Sequence, residues 1–217
     1  MKILFVGNSF TYYNDLPAMV AELARAETDR VVKGGWYLKW YADPENEMSA
    51  PLRAAYAGSK WDAMVLQDQS FNPAGDPEGF VAASKRLRAE MPEGRLYFYQ
   101  TWAYEDGSEK LASTGCDYET MRRRLREAYA VGAAECGGIA VPVGDAFGVC
   151  HDEYPQLNLY IEDHYHPSPL GTYLAACLFC AYIMGIDPMT LSTPEGVDPA
   201  AAPILREVAA RFRPEAR

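Results

Sequence analysis

Short β-branched or aromatic runs alternate along this chain with longer stretches of helical periodicity, and that alternation restricts the fold more than any other feature. The pattern predicts strands over 2–6, 30–33, 62–66, 95–101 and 138–143. Helices are predicted over 16–26, 47–57, 78–90, 118–136, 169–184 and 199–213, with Gly34-Gly35, Gly58-Ser59, Pro92 and Gly137 as stops. The run Ala63-Met64-Val65-Leu66 is continuously apolar, as expected of a strand covered on both faces. A helix between successive strands returns the chain to the same edge, which makes the strands parallel. The expected fold is therefore a three-layer α/β/α sandwich whose five-stranded parallel sheet has the flavodoxin-like order 2-1-3-4-5. Ligands bind such sheets beyond the carboxyl ends of the strands. Loops 7–15, 34–46, 67–76 and 101–115 leave those ends and carry most of the unusual residues.

The 217 residues suffice for one domain, 1–217, with a full core. A formal net charge of −10 argues against nucleic acid or an anionic membrane as a partner. The N-terminal apolar run is too short for a signal-peptide core, and no apolar stretch reaches spanning length, so a cytoplasmic location is expected. Five cysteines form no paired framework; Cys177 and Cys180, one helical turn apart in the apolar segment 173–186, read as small core residues. The sequence leaves the oligomeric state open.

Two segments carry candidate chemistry. The first strand runs into Gly7-Asn8-Ser9-Phe10-Thr11, which places a serine at a strand-to-helix turn where free backbone N–H groups point outward. A serine hydroxyl needs a base within hydrogen-bond reach before it acts as a nucleophile; otherwise Ser9 or Thr11 merely caps the helix. The second segment is Asp163-His164-Tyr165-His166-Pro167-Ser168. His166 is a candidate general base, and Asp163, three residues away, can fix its tautomer. Ser168-Pro169 reads as the cap and first residue of the following helix. His151, Asp152, Glu153 and His164 are further potential metal ligands, but all three histidines fall in a loop without a helical His pair, so neither metal nor cofactor is expected.

Taken in order, Gly7-Asn8-Ser9, Gly34-Gly35, Leu66-Gln67-Asp68-Gln69-Ser70 and Asp163-x-x-His166 resemble the four blocks of the SGNH hydrolase superfamily, the GDSL-type esterases and lipases. With Gln100-Thr101-Trp102-Ala103-Tyr104 and His166-Pro167-Ser168, the chain looks like a bacterial branch of that superfamily. The resemblance implies Ser9 as nucleophile, His166 as base and Asp163 as its orienting acid. It implies oxyanion donors at Gly35 or Gly34 and at Gln69, with Gln67 as the rival position, beside the Ser9 amide. Asn8 stands where the family has Asp, and Gln69 where it has Asn, one methylene shorter.

The function expected is a serine esterase cleaving small acyl esters, with acetyl on a carbohydrate as the preferred substrate. The competing readings are a carbohydrate-binding relative with a degraded oxyanion hole and a metal-dependent hydrolase. Aromatic residues in the strand-end loops, among them Tyr12, Trp36, Trp40 and Trp102, suit a cleft for sugar rings or an ester's apolar part.

Overall fold

The computed structural model describes residues 1–214. Five strands, β1 (Lys2–Gly7), β2 (Glu27–Val32), β3 (Ala63–Leu66), β4 (Arg95–Tyr99) and β5 (Ile139–Val141), form one sheet in the order β2-β1-β3-β4-β5. Every pairing is parallel. The sheet-end loops hold short helices: α1 (Ser9–Tyr12), α3 (Leu38–Ala42), α5 (Asn72–Gly75) and α7 (Glu109–Ala112). The remaining helices are α2 (Leu16–Ala24), α4 (Ser49–Ala57), α6 (Pro77–Glu90), α8 (Tyr118–Cys136), α9 (Val143–Glu153), α10 (Pro169–Met184) and α11 (Ala202–Arg211).

Strand periodicity sends successive β4 side chains to opposite layers. Phe98 meets Phe80 of α6 edge-on at 5.8 Å, and Tyr99 meets Phe179 of α10 at 5.0 Å. The apolar helix α10 is buried on nearly every side between the sheet, α2, α9 and α11, and its Cys177 and Cys180 are core residues with free thiols. Among the described residues no helix is long and apolar enough to cross a membrane.

The differences from expectation have local causes. β2 begins at Glu27 instead of residue 30, because it pairs with β1 alone at the sheet edge, where charged side chains such as Glu27, Asp29 and Arg30 stay in reach of solvent. α2 stops at Ala24 because Arg25 takes a left-handed conformation (φ 50°), and its N–H closes on Ala21 O. Before the last helix, Leu191 and Val197 are buried and fasten the segment 190–203 to the core.

Helix α9 occupies a stretch read as loop, and it carries His151, which therefore does not belong to the loop of the other two histidines. Two glycines lower its intrinsic propensity, yet packing needs them. A Cβ on Gly144 would lie 2.1 Å from Thr101 O, whereas one on Gly148 would meet the Arg122 guanidinium at 2.1 Å. The first obstacle is backbone and the second the end of a long side chain. Gly144→Ala is expected to cost about 1–3 kcal/mol in denaturant unfolding, and Gly148→Ala clearly less.

Candidate active site

Gly7 ends β1 because a side chain has no room there: its Cβ would sit 2.5 Å from Thr11 Oγ1 and 2.6 Å from Gln67 Oε1. Asn8 then caps α1, accepting from Phe10 N (3.2 Å), while its own Nδ2 donates to Trp36 O (2.9 Å). The capping role thus falls to Asn8, and Thr11 spends its hydroxyl on Gln67 Oε1 (2.9 Å). Ser9, first residue of α1, keeps both its hydroxyl and its backbone N–H free of capping duty.

The histidine arrives on a tight hairpin. Tyr160 bridges Pro167, Ile161 N donates to His166 O (3.0 Å), and Ser168 N donates to Leu159 O (2.8 Å). Asp163 Oδ1 accepts from the backbone N–H groups of Tyr165 (3.2 Å) and His166 (3.0 Å), leaving Oδ2 to meet His166 Nδ1 at 2.5 Å. On the other side of the ring, His166 Nε2 lies 2.7 Å from Ser9 Oγ. Burial pushes the Asp163 carboxyl up, but hydrogen bonds from the His166 ring and from these two amides outweigh it and hold the group below its usual range. The carboxylate thus stays charged where a protonated imidazole would need it.

Packing fixes the imidazole plane. Tyr13 stacks on it (centroids 4.2 Å apart, 9° between planes), Tyr165 covers the other side at 4.1 Å, and Phe10 meets its edge at 5.5 Å. Asn14 spans the two halves of the site. Its Nδ2 reaches Pro167 O (3.0 Å) and Thr172 Oγ1 (2.8 Å) from a left-handed backbone (φ 50°).

The Lys33–Trp36 turn, closed by Trp36 N on Lys33 O (3.1 Å), brings Gly34 and Gly35 to the same place. Gly35 has φ +68°, the position where such a turn demands glycine, and its N–H has no acceptor among the described residues. Gln69 curls over its own turn: Oε1 accepts from Phe71 N and Asn72 N (both 3.1 Å), so Nε2 is turned the other way, spending one hydrogen on Ser70 Oγ (3.1 Å). Ser9, His166, Gly34, Gly35, Gln69 and Lys110 all border one cleft of about 250 Å³. A larger apolar groove of about 610 Å³ lies between α6 and α8, around Val81 and Val131, and contains none of these residues.

Two expected site residues are placed elsewhere. Gln67 is fully buried, with Oε1 taken by Asn8 N (3.0 Å) and Thr11 and its Nε2 by Asp68 O, so it braces the nucleophile turn and faces no ligand. Trp102 is fully buried too, stacked between Phe10 (4.5 Å) and Phe147 (4.1 Å), with Nε1 on Tyr165 O (3.0 Å). It is a strut that ties nucleophile turn to hairpin. The histidines also separate: His164 pairs with Glu105 (2.6 Å), and His151 stacks on Tyr118 (4.1 Å) beside Asp152. Among the described residues no group of His, Cys, Asp and Glu is placed to hold a metal.

A solved protein from Slackia heliotrinireducens, provisionally named an SGNH hydrolase, matches at 34% identity over 82% of this chain and 96% of its own, with a TM-score of 0.76. This chain belongs to the SGNH hydrolases. The same fold recurs in a DUF4886 family protein from Bacteroides uniformis (19% identity, 97% and 93% of the two chains, TM-score 0.76). It recurs again in a Geobacillus acetyl-xylooligosaccharide esterase variant (15% identity, 84% and 93%, TM-score 0.58). No family model and no curated protein matches the sequence.

As an SGNH hydrolase the chain has an unusual third block, and Asp68 supports it. Its fully buried carboxylate accepts from Leu38 N and Gln69 N (both 2.8 Å) and from Asn72 Nδ2 (2.7 Å), joining the second and third loops. Sequence reasoning passes over it because an Asp beside a candidate donor carries no periodic signal. Burial pushes its carboxyl up to about 6 despite those three donors. A raised folded value means that the native state binds the proton more tightly, so this group destabilises the fold progressively as pH climbs from about 4 through 6. The unfolding free energy of Asp68→Asn relative to wild type should therefore shift in the variant's favour across that interval, by at most roughly 3 kcal/mol, and stay flat below it. Urea melts at stepped pH measure the difference.

Proposed function

We propose that this SGNH hydrolase is a serine esterase that removes small acyl groups, acetyl foremost, from a carbohydrate or similar alcohol. The observation that carries the reading is the continuous hydrogen-bonded chain from Ser9 Oγ through His166 to Asp163. Ser9 Oγ attacks the ester carbonyl carbon as its proton passes to His166 Nε2. The carbonyl oxygen becomes an oxyanion, which the N–H groups of Ser9 and Gly35 and the second Gln69 Nε2 hydrogen stabilise. Collapse breaks the bond to the alcohol, which leaves with the proton from His166. Water, deprotonated in turn by His166, then releases the acid from the acyl-enzyme and restores Ser9. Asp163 stays ionised throughout and steadies the imidazolium.

The modest cleft of about 250 Å³ suits a short acyl group. Half-buried Trp36, Tyr37 and Trp40 pack edge to face near the glycine turn, a surface of the kind that sugar rings cover. A Geobacillus protein of the same fold is named an acetyl-xylooligosaccharide esterase, which is compatible with that substrate class.

Ser9→Ala should abolish hydrolysis of 4-nitrophenyl acetate and covalent labelling by a fluorophosphonate. Gln69→Ala should lower kcat about 100- to 1,000-fold while labelling persists slowly. Normal turnover in Ser9→Ala would refute the mechanism. Absence of labelling in wild type, combined with glycan binding, would favour a non-catalytic binding protein.

A further inference from the structure

The cleft that holds Ser9 carries an unusual charge for this chain. Around it stands a protein with a formal net charge of −10, whose surface repels anions at long range. Yet no aspartate or glutamate borders the cleft among the described residues, and its one permanently charged side chain is Lys110. Lys110 comes from α7, in the fourth strand-end loop, and the sequence pattern gave this residue no role.

Its ammonium is held but not neutralised. Nζ sits 4.4 Å from the ring centroid of Tyr165 and 5.6 Å from that of Tyr104. Glu105, an acid on the same loop, is engaged instead with His164. Lys33, which precedes the glycine turn and sits over Trp36, is by contrast paired with Glu47. Tyr165, which supports the ammonium, is the ring that also covers His166 at 4.1 Å. One aromatic ring thus separates the imidazole from a cation that has no acidic partner among the described residues.

Resting on the esterase reading above, we infer that the ester cleaved at Ser9 bears a carboxylate close to its scissile bond, and that Lys110 is the specificity-determining residue that binds it. An aromatic-backed ammonium in a partly shielded cleft pairs with a carboxylate at lower desolvation cost than a free lysine. The carboxylate can belong to the acyl part, as in a half-ester of a dicarboxylic acid, or to the alcohol part, as in an acetylated sugar acid. Either location presents the same anion to Nζ.

Two matched pairs of esters distinguish the sources. Phenyl hydrogen succinate against phenyl methyl succinate places the charge on the acyl side. Sodium 4-acetoxyphenylacetate against its methyl ester places it on the alcohol side. In wild type, kcat/KM for the anionic member of one pair should exceed that of its neutral partner about ten- to a hundredfold. Lys110→Met should bring that ratio close to one, Lys110→Arg should retain most of it, and added salt should erode it in wild type. Because the ratio is read within each variant, any general loss of folding or turnover cancels. Ser9-dependent hydrolysis with no charge preference in either pair, or with a preference that survives Lys110→Met, would overturn the role of Lys110 and leave the esterase reading standing. Failure of wild type to hydrolyse any of the four esters or to label at Ser9 would overturn both.

Discussion

The contact between Ser9 Oγ and His166 Nε2 joins residues 157 positions apart, and neither segment can present its group unaided. A hydrogen bond of this kind contributes on the order of 1 kcal/mol, far too little to order two loops. Ordering has to come from elsewhere, and three fastenings supply it. Trp102 stacks against Phe10, one residue beyond the nucleophile, and bonds to the carbonyl of Tyr165, one residue before the base. Asn14 reaches from the end of the nucleophile segment to Pro167 and Thr172. Tyr13 and Tyr165 clamp the ring between them. The reactive pair is thus the last joint in a structure held by aromatic packing, which also keeps the pair nearly dry: Ser9 is 9% and His166 7% exposed.

Beneath the cleft floor runs a seam of buried polar side chains, a costly feature unless each group is satisfied. Gln67 Oε1 serves both Asn8 N and Thr11 Oγ1, and Asp68 serves Leu38, Gln69 and Asn72. The seam binds the first three loops together through side chains instead of backbone ladders. It also explains why an asparagine at position 8 suits this chain. Its Nδ2 donates to Trp36 O, a bond that a carboxylate has no hydrogen to make. The glycine turn is thereby fastened to the nucleophile turn.

Gln67 and Gln69 illustrate how far residue type leads. Both stand in the third block, and both own an amide able to donate. β3 ends at Leu66, Gln67 continues inward below the sheet edge, and Gln69 emerges beside Ser70 at the cleft. Nothing in their spacing separates them; the direction in which the chain turns after β3 does. The same holds for Trp102, whose loop position suggests a ligand-facing ring while its 0% exposure makes it core.

Alternating apolar runs and helical periods determined the succession of strands and crossover helices, the two long helices Tyr118–Cys136 and Pro169–Met184, and the segments that meet at the carboxyl edge, because hydrophobic burial imposes those periods locally; the order β2-β1-β3-β4-β5 followed only as the flavodoxin-like arrangement expected of such a parallel sheet. Ser9, Asp163 and His166 were legible for a related reason: their neighbours along the chain form the turn and the hairpin that hold them. Helix α9, the extent of edge strand β2, the inward course of Gln67 and Trp102, and the placement of Asp68, Asn14 and Lys110 were decided only in three dimensions. Each depends on contacts with residues remote in sequence, and side-chain packing of that kind leaves no periodic trace along the chain.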